Sequence, residues 1–142
     1  MDKLNDIIFY NIEKAIKKYR MFAMKRIRDN NYKITTDQWL IIKSILENPD
    51  ITQQEIAKNV FKDNASVTRI IELMVKSNYV TKEENSSDRR KSHLKVTDKG
   101  EAIIENVNDL VIENRKIALK GITQEELNTT FTTLKKIIAN CH

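Results

Sequence analysis

Residues 63–100 constrain this chain more than any other segment, because a short amphipathic helix there runs straight into a basic hairpin. Val67, Ile70, Ile71 and Met74 fall at i, i+3, i+4 and i+7, which makes one buried helical stripe. Stepping about 100° per residue from that stripe puts Ala65, Thr68, Arg69, Glu72 and Lys76 on the outward side. Asp63 is a good N-cap residue, and Asn78 suits the left-handed position that often ends a helix. Tyr79-Val80-Thr81-Lys82 then reads as a strand and Ser92–Val96 as its partner, joined through Asn85-Ser86-Ser87-Asp88, a run of turn formers. A helix followed by a basic β-loop can lay one element in a DNA groove and the other on the flanking backbone. Double-stranded DNA is therefore the leading expected partner.

The rest of the chain reads as helix. Leu4, Ile8, Ile12, Ala15, Tyr19, Phe22, Ala23 and Ile27 recur at helical spacing and predict a first helix near residues 4–29. Thr35 with Gln38 has the form of a capping box and opens a second helix carrying Trp39, Leu40, Ile42, Ile45 and Leu46, stopped by Asn48-Pro49-Asp50. Thr52 with Glu55 has the same form and opens a short third helix through Ile56, Ala57 and Val60. Two short helices and a turn, then an outward polar face, follow helix-turn-helix logic. After the hairpin, Thr97 can cap a long helix carrying Ile103, Val107, Leu110, Val111, Ile117 and Ala118, with Gly121 placed to end it. Thr123 with Glu126 opens a last helix whose Leu127, Phe131, Leu134 and Ile138 share one face.

The expected fold class is mainly α with a small β-hairpin wing, a winged helix-turn-helix with N- and C-terminal dimerisation helices. At 142 residues the chain is one domain by size. Residues 33–99 would form the DNA-binding part, and 1–30 and 100–142 the dimerisation helices. The terminal helices carry more apolar positions than one small winged domain can cover, so a homodimer is expected. Two Gly and one Pro are too few for an all-β protein built on tight turns.

The net charge of +5 is unevenly spread: residues 58–99 hold ten Lys/Arg against six Asp/Glu, and residues 1–30 hold eight against four. Part of the surplus thus lies where phosphate contact would need it, although a solvated basic face would look the same. The one cysteine, Cys141, allows no intrachain disulfide. With no long apolar run and no charged leader before one, no membrane partner is expected, and the cytoplasm is the expected compartment. No Gly-rich phosphate loop, nucleophile elbow or metal-spaced His/Cys/Asp/Glu cluster is present, so neither an enzyme nor a metal or other cofactor is expected. His93 reads as a strand residue that packs or bonds locally.

Asp88-Arg89-Arg90, three intervening residues, then Leu94-Lys95-Val96-Thr97-Asp98-Lys99-Gly100 resembles the wing pattern of MarR-type regulators, roughly Asp-x-Arg, a strand, then Leu-Thr-x-x-Gly. Ser66-Val67-Thr68-Arg69 is similar to that family's recognition-helix segment, and Asp37-Gln38-Trp39 to the start of its second helix. Element order agrees over essentially the whole chain. The resemblance implies a homodimeric winged helix-turn-helix regulator that binds palindromic operator DNA, usually as a repressor. It also implies release by a small phenolic or lipophilic ligand in many members. Carried over by position, the recognition-helix candidates are Asn64, Ala65, Ser66, Thr68 and Arg69. Arg90 is the wing residue expected in the minor groove, with Asp88 holding the arginines. Val96 stands where Leu is usual and Asn78 where Gly is usual. The cysteine of the family's organic-hydroperoxide branch is absent from the first helix, which argues against that kind of sensing.

The chemistry fits those roles. Arg90 can fork two hydrogen bonds and stays charged in a narrow, negative groove. Arg89, Lys91 and Lys95 suit phosphates. The plain alternative is a solvated hairpin with an Asp88–Arg90 surface ion pair. Arg69 can reach a guanine edge or a phosphate. Ser66 and Thr68 can bond phosphate or base, and Thr68 can instead bond back to its own helix. Tyr10, Tyr19, Met21, Phe22, Met24 and Trp39 are candidates to line a pocket for a small-molecule effector, against plain core as the alternative. A rival function keeps the fold and uses the helix face as a protein-interaction module without sequence-specific DNA binding.

Overall fold

A computed structural model describes residues 1–84 and 92–142. A single 3-10 turn, Leu4–Asp6, precedes α1 (Ile8–Asp29), α2 (Thr36–Glu47), α3 (Gln53–Val60) and α4 (Asn64–Lys76). The hairpin β1 (Val80–Glu84) and β2 (Ser92–Val96) follows, and α5 (Asp98–Ala118) and α6 (Gln124–Asn140) complete the chain. The two strands are antiparallel, with Val80 opposite Val96, Thr81 opposite Lys95 and Lys82 opposite Leu94.

The helix starts follow local chemistry. Thr35 accepts from Gln38 N–H while the Gln38 side chain accepts from Thr35 N–H, a complete capping box, and Thr123 with Glu126 forms another. Thr52 forms only half of one. It accepts from Glu55 N–H, but the Glu55 carboxylate takes up the Thr52 hydroxyl at 3.1 Å instead of the backbone N–H. Asp63 caps α4 through Ser66 N–H at 2.7 Å, and Thr97 caps α5 through Gly100 N–H at 3.0 Å. Asn31, Phe61 and Asn78 are the left-handed non-glycine residues among those described, with φ of 63°, 59° and 63°. Near the N-terminus the structure corrects the single long helix. Ile7 is extended, at φ −87° and ψ 118°, and separates Leu4–Asp6 from α1.

The core lies where α2, α3, α4 and the strands meet the N-terminal half of α5. Ile41, Ile42, Ile56, Val67, Met74 and Val107 are fully buried there. The end of α1 joins through Ile27, with Met24 packed against the same core. Val80, Leu94 and Val96 face the core, whereas His93 and Lys95 face outward, as the two-residue period of a half-buried strand requires. Beyond Asn114, α5 leaves the core: Ile117 and Ala118, predicted as stripe positions, are exposed. In α6 no residue is buried, and Phe131 and Ile138 are 57% and 72% exposed.

A candidate nucleic-acid interface

The stripe Val67, Ile71 and Met74 fixes which side of α4 can meet a partner. With those three buried and Ile70 packed at the edge of the core, Asn64, Ala65, Arg69, Glu72 and Lys76 are exposed. Of the predicted outward face, Ala65, Arg69, Glu72 and Lys76 are therefore exposed, and Thr68 is half-buried. Arg69 has no ion-pair partner among the described residues.

The hydroxyls on this helix are more committed than the sequence implies. Thr68 Oγ1 donates to Asn64 C=O at 2.8 Å and accepts from Gln53 Nε2 at 2.6 Å. Its proton is spent on its own helix, and its side chain ties α3 to α4. Ser66 Oγ lies 3.2 Å from Asp63 Oδ2, while Asp63 Oδ1 takes Ser66 N–H. These bonds from Ser66 hold the Asp63 carboxyl below its ordinary pKa, with a smaller contribution from Arg69. Of the five recognition-helix candidates, Asn64, Ala65 and Arg69 are thus free to meet a partner, and Ser66 and Thr68 mainly position the helix start.

A second cluster fixes the hairpin to α4. The left-handed Asn78 turns the chain at the end of α4, and its carbonyl accepts from Thr97 Oγ1. Tyr79, 5% exposed, receives Thr97 N–H on its carbonyl at 3.0 Å and donates its hydroxyl to Lys33 C=O. Burial pushes the Tyr79 phenol pKa up. Lys99 lies over the Tyr79 ring and donates to Ser77 C=O at 2.9 Å. Gly100 packs directly on this junction. A Cβ there would stand 2.8 Å from Val96 Cγ1 and still closer to the Tyr79 carbonyl oxygen. The Thr97-x-x-Gly100 spacing thus serves a close backbone approach that joins the C-terminus of α4, the base of the hairpin and the start of α5.

Of the wing candidates, Lys95 is exposed on β2. Asp88, Arg89, Arg90 and Lys91 lie outside the described residues, as does the turn Asn85–Asp88.

The six predicted pocket residues do not converge. Met24 and Trp39 pack on the core edge, and Tyr19 and Phe22 have ring centroids 6.4 Å apart. Met21 is 75% exposed, because it lies roughly 200° around α1 from the buried Ala23. Tyr10 is 38% exposed and stands about 20 Å along the helix axis from Ala23, beyond the end of the core. The α1–α5 contact holds a polar network that the sequence did not foreshadow. Arg26 Nε donates to Asn114 Oδ1 and Arg26 Nη2 pairs with Glu113 at 3.1 Å. The Arg115 guanidinium lies over the Trp39 ring. Asn114 is 1% exposed. It sits four residues past Leu110 and seven past Val107, so a polar residue on an apolar stripe was the available sign.

Among the described residues, no group of His, Cys, Asp and Glu is gathered as a metal site. Nor is any described helix long and apolar enough to cross a membrane.

A helix-turn-helix with an exposed α4 face, braced to a β-hairpin and flanked by long helices, defines a winged-helix protein of the kind seen in DNA-binding regulators. The MarR family model matches residues 34–92. The chain is also similar to a mutant MarR from E. coli solved with operator DNA, at 27% identity over 96% of this chain and 99% of that one, TM-score 0.83. A Listeria innocua protein of unknown function is 30% identical over 97% of this chain and 95% of that one, TM-score 0.70. BpsR of Bordetella bronchiseptica, described as regulated in DNA binding by 6-hydroxynicotinic acid, shares the fold at TM-score 0.85 and 18% identity, covering 96% of each chain. Residues 34–92 thus carry the MarR-family domain, and the fold along nearly the whole chain is that of solved MarR proteins.

Proposed function

We propose that this chain is a cytoplasmic homodimeric repressor that binds palindromic operator DNA sequence-specifically. Residues 33–99 form its DNA-binding part. Asn64, Ala65 and Arg69 read or line the major groove, with Ser66 and Thr68 setting the helix start. Arg90 reaches the adjacent minor groove, held by Asp88, while Arg89, Lys91 and Lys95 meet phosphates. The observation that carries this reading is the capped α4, whose inner stripe is buried and whose Asn64–Arg69 face is free, anchored directly to a basic hairpin. The operator complex of the 27%-identical E. coli relative supports it.

The dimer rests on residues 1–30 and 100–142. Phe9 is 59% exposed on α1, and Phe131 and Ile138 stand exposed on α6, an apolar surface that a second copy would cover. Two recognition helices would then enter successive major grooves about 34–36 Å apart. Release by a small phenolic or lipophilic ligand belongs to the same proposal, supported by the regulation described for the Bordetella fold relative. Such a ligand acts only if it binds the DNA-incompatible dimer better than the competent one.

The test is selection of bound duplexes from a random DNA pool, then affinity for the winner at two salt concentrations. The expected result is an enriched palindrome, a steep salt slope and weaker binding by Arg90→Ala with the dimer intact. Unchanged affinity in Arg90→Ala sinks the wing assignment. Absence of any enriched sequence turns the reading toward a protein-interaction module.

A further inference from the structure

The turn between α3 and α4 holds a residue that the recognition face does not explain. Phe61 is left-handed at φ 59° and ψ 40°, and is 81% exposed. At the other left-handed non-glycine positions described, the chain uses asparagine, Asn31 and Asn78. Asparagine is the residue that tolerates this conformation best after glycine, and a bulky side chain there is strained. Phe61 therefore works against folding through its backbone, and its ring returns almost nothing by burial. A local outlier of this kind points to a role outside the fold.

Its neighbours indicate the chemistry. Phe61 lines a surface depression with Gln54, Lys58, Lys62, Asp63 and Asn64. Lys62 is 3.6 Å from Asp37, and the Asp63 carboxylate is occupied by Ser66. The lining thus brings together two lysines, one of them paired with Asp37, two amide residues, one occupied carboxylate, Ala57 and the Phe61 ring. Asn64, the first residue of the recognition helix, opens into the same depression.

We propose that this depression is a second DNA-binding surface, built on the winged-helix reading above. Lys58 and Lys62 meet a backbone phosphate at the groove edge. The Phe61 ring covers the adjoining deoxyribose or a thymine methyl, and it is desolvated only when Asn64 enters the groove. An apolar ring flanked by two cations matches a sugar–phosphate backbone, which alternates apolar faces with anions.

The experiment pairs stability with binding, using the full-length dimer and the operator obtained by selection. Phe61→Asn and Phe61→Gly both suit the left-handed backbone, so their melting temperatures should equal or exceed that of the wild type. Their operator affinity should nevertheless fall roughly tenfold, the scale of one buried phenyl ring, with the salt slope unchanged. Lys58→Gln should make the slope shallower by about 0.9 for each phosphate it no longer neutralises. Opposite signs on stability and binding cannot come from a merely structural residue. Wild-type affinity in both Phe61 variants overturns the proposal, and if Arg69→Ala or Arg90→Ala still binds more weakly, the winged-helix reading survives it. Dissociation of the Phe61 variants into monomers also overturns it, placing the ring between copies of the chain. If the wild type prefers no sequence, the winged-helix reading falls and this proposal with it.

Discussion

Gly100→Ala tests the junction that sets the angle between recognition helix and wing. The added methyl would sit 2.8 Å from Val96 Cγ1, 3.2 Å from the Tyr79 carbonyl carbon and closer still to its oxygen. Val96 can shift slightly, but the Tyr79 carbonyl is backbone and is held by Thr97 N–H at 3.0 Å. Relief therefore requires moving that peptide or sliding the first turn of α5. Overpacking of this kind costs about 1–3 kcal/mol. Losing the Thr97 bond adds about 1 kcal/mol, and weakening the Thr97 cap on Gly100 N–H about another. Against this, alanine is favoured over glycine within a helix by about 1 kcal/mol. The net expectation is a loss of about 2–4 kcal/mol, or a melting temperature lower by roughly 5–15 °C. Urea unfolding followed by circular dichroism, at one fixed dimer concentration, measures it. The folded variant should also bind operator more weakly at low temperature, because the wing no longer stands at the same angle to α4. A loss below about 1 kcal/mol with the slope against urea unchanged would refute the argument, showing that α5 slides at little cost.

Two further outcomes follow. The Asp63 carboxyl is held below its ordinary pKa by Ser66, so its cap contributes stability above about pH 4, its unfolded value, and loses it as pH falls through the lower folded value. Asp63→Ala should therefore lower the melting temperature at pH 7 and flatten that acid-side decline; an unchanged pH profile would contradict the assignment. Phe131→Glu puts a charge on the exposed apolar face of α6 and should shift the assembly toward monomer in sedimentation, with α4 still folded. A variant that stays dimeric would remove α6 from the interface.

Much of the fold was legible in the chain because its signals are local. Thr35/Gln38, Thr123/Glu126, Asp63 and Thr97 each act within three residues, so the helix starts follow from spacing alone. The i, i+3, i+4, i+7 stripe of α4 determined its buried side, and thereby the freedom of Asn64, Ala65 and Arg69. Other outcomes depended on partners distant in sequence. Thr68 had two bonding options, and the nearness of Gln53, fifteen residues earlier, accompanies the inward one. Arg26 meets Asn114 across 88 residues, a pairing no window along the chain contains. Met21, one of the residues expected to line a pocket, shows a related limit: aromatic and methionine content shows what can line a cavity, but helix rotation sent Met21 to solvent. The need for glycine at position 100 is likewise tertiary, since only the approach of the Tyr79 carbonyl leaves no room for a methyl. Sequence by itself determined most element starts and the buried side of α4, because backbone capping and hydrophobic period act over one or two turns. Tertiary structure alone decided which polar groups are spent on the fold and which remain for a partner, because that depends on what packing brings within hydrogen-bond reach.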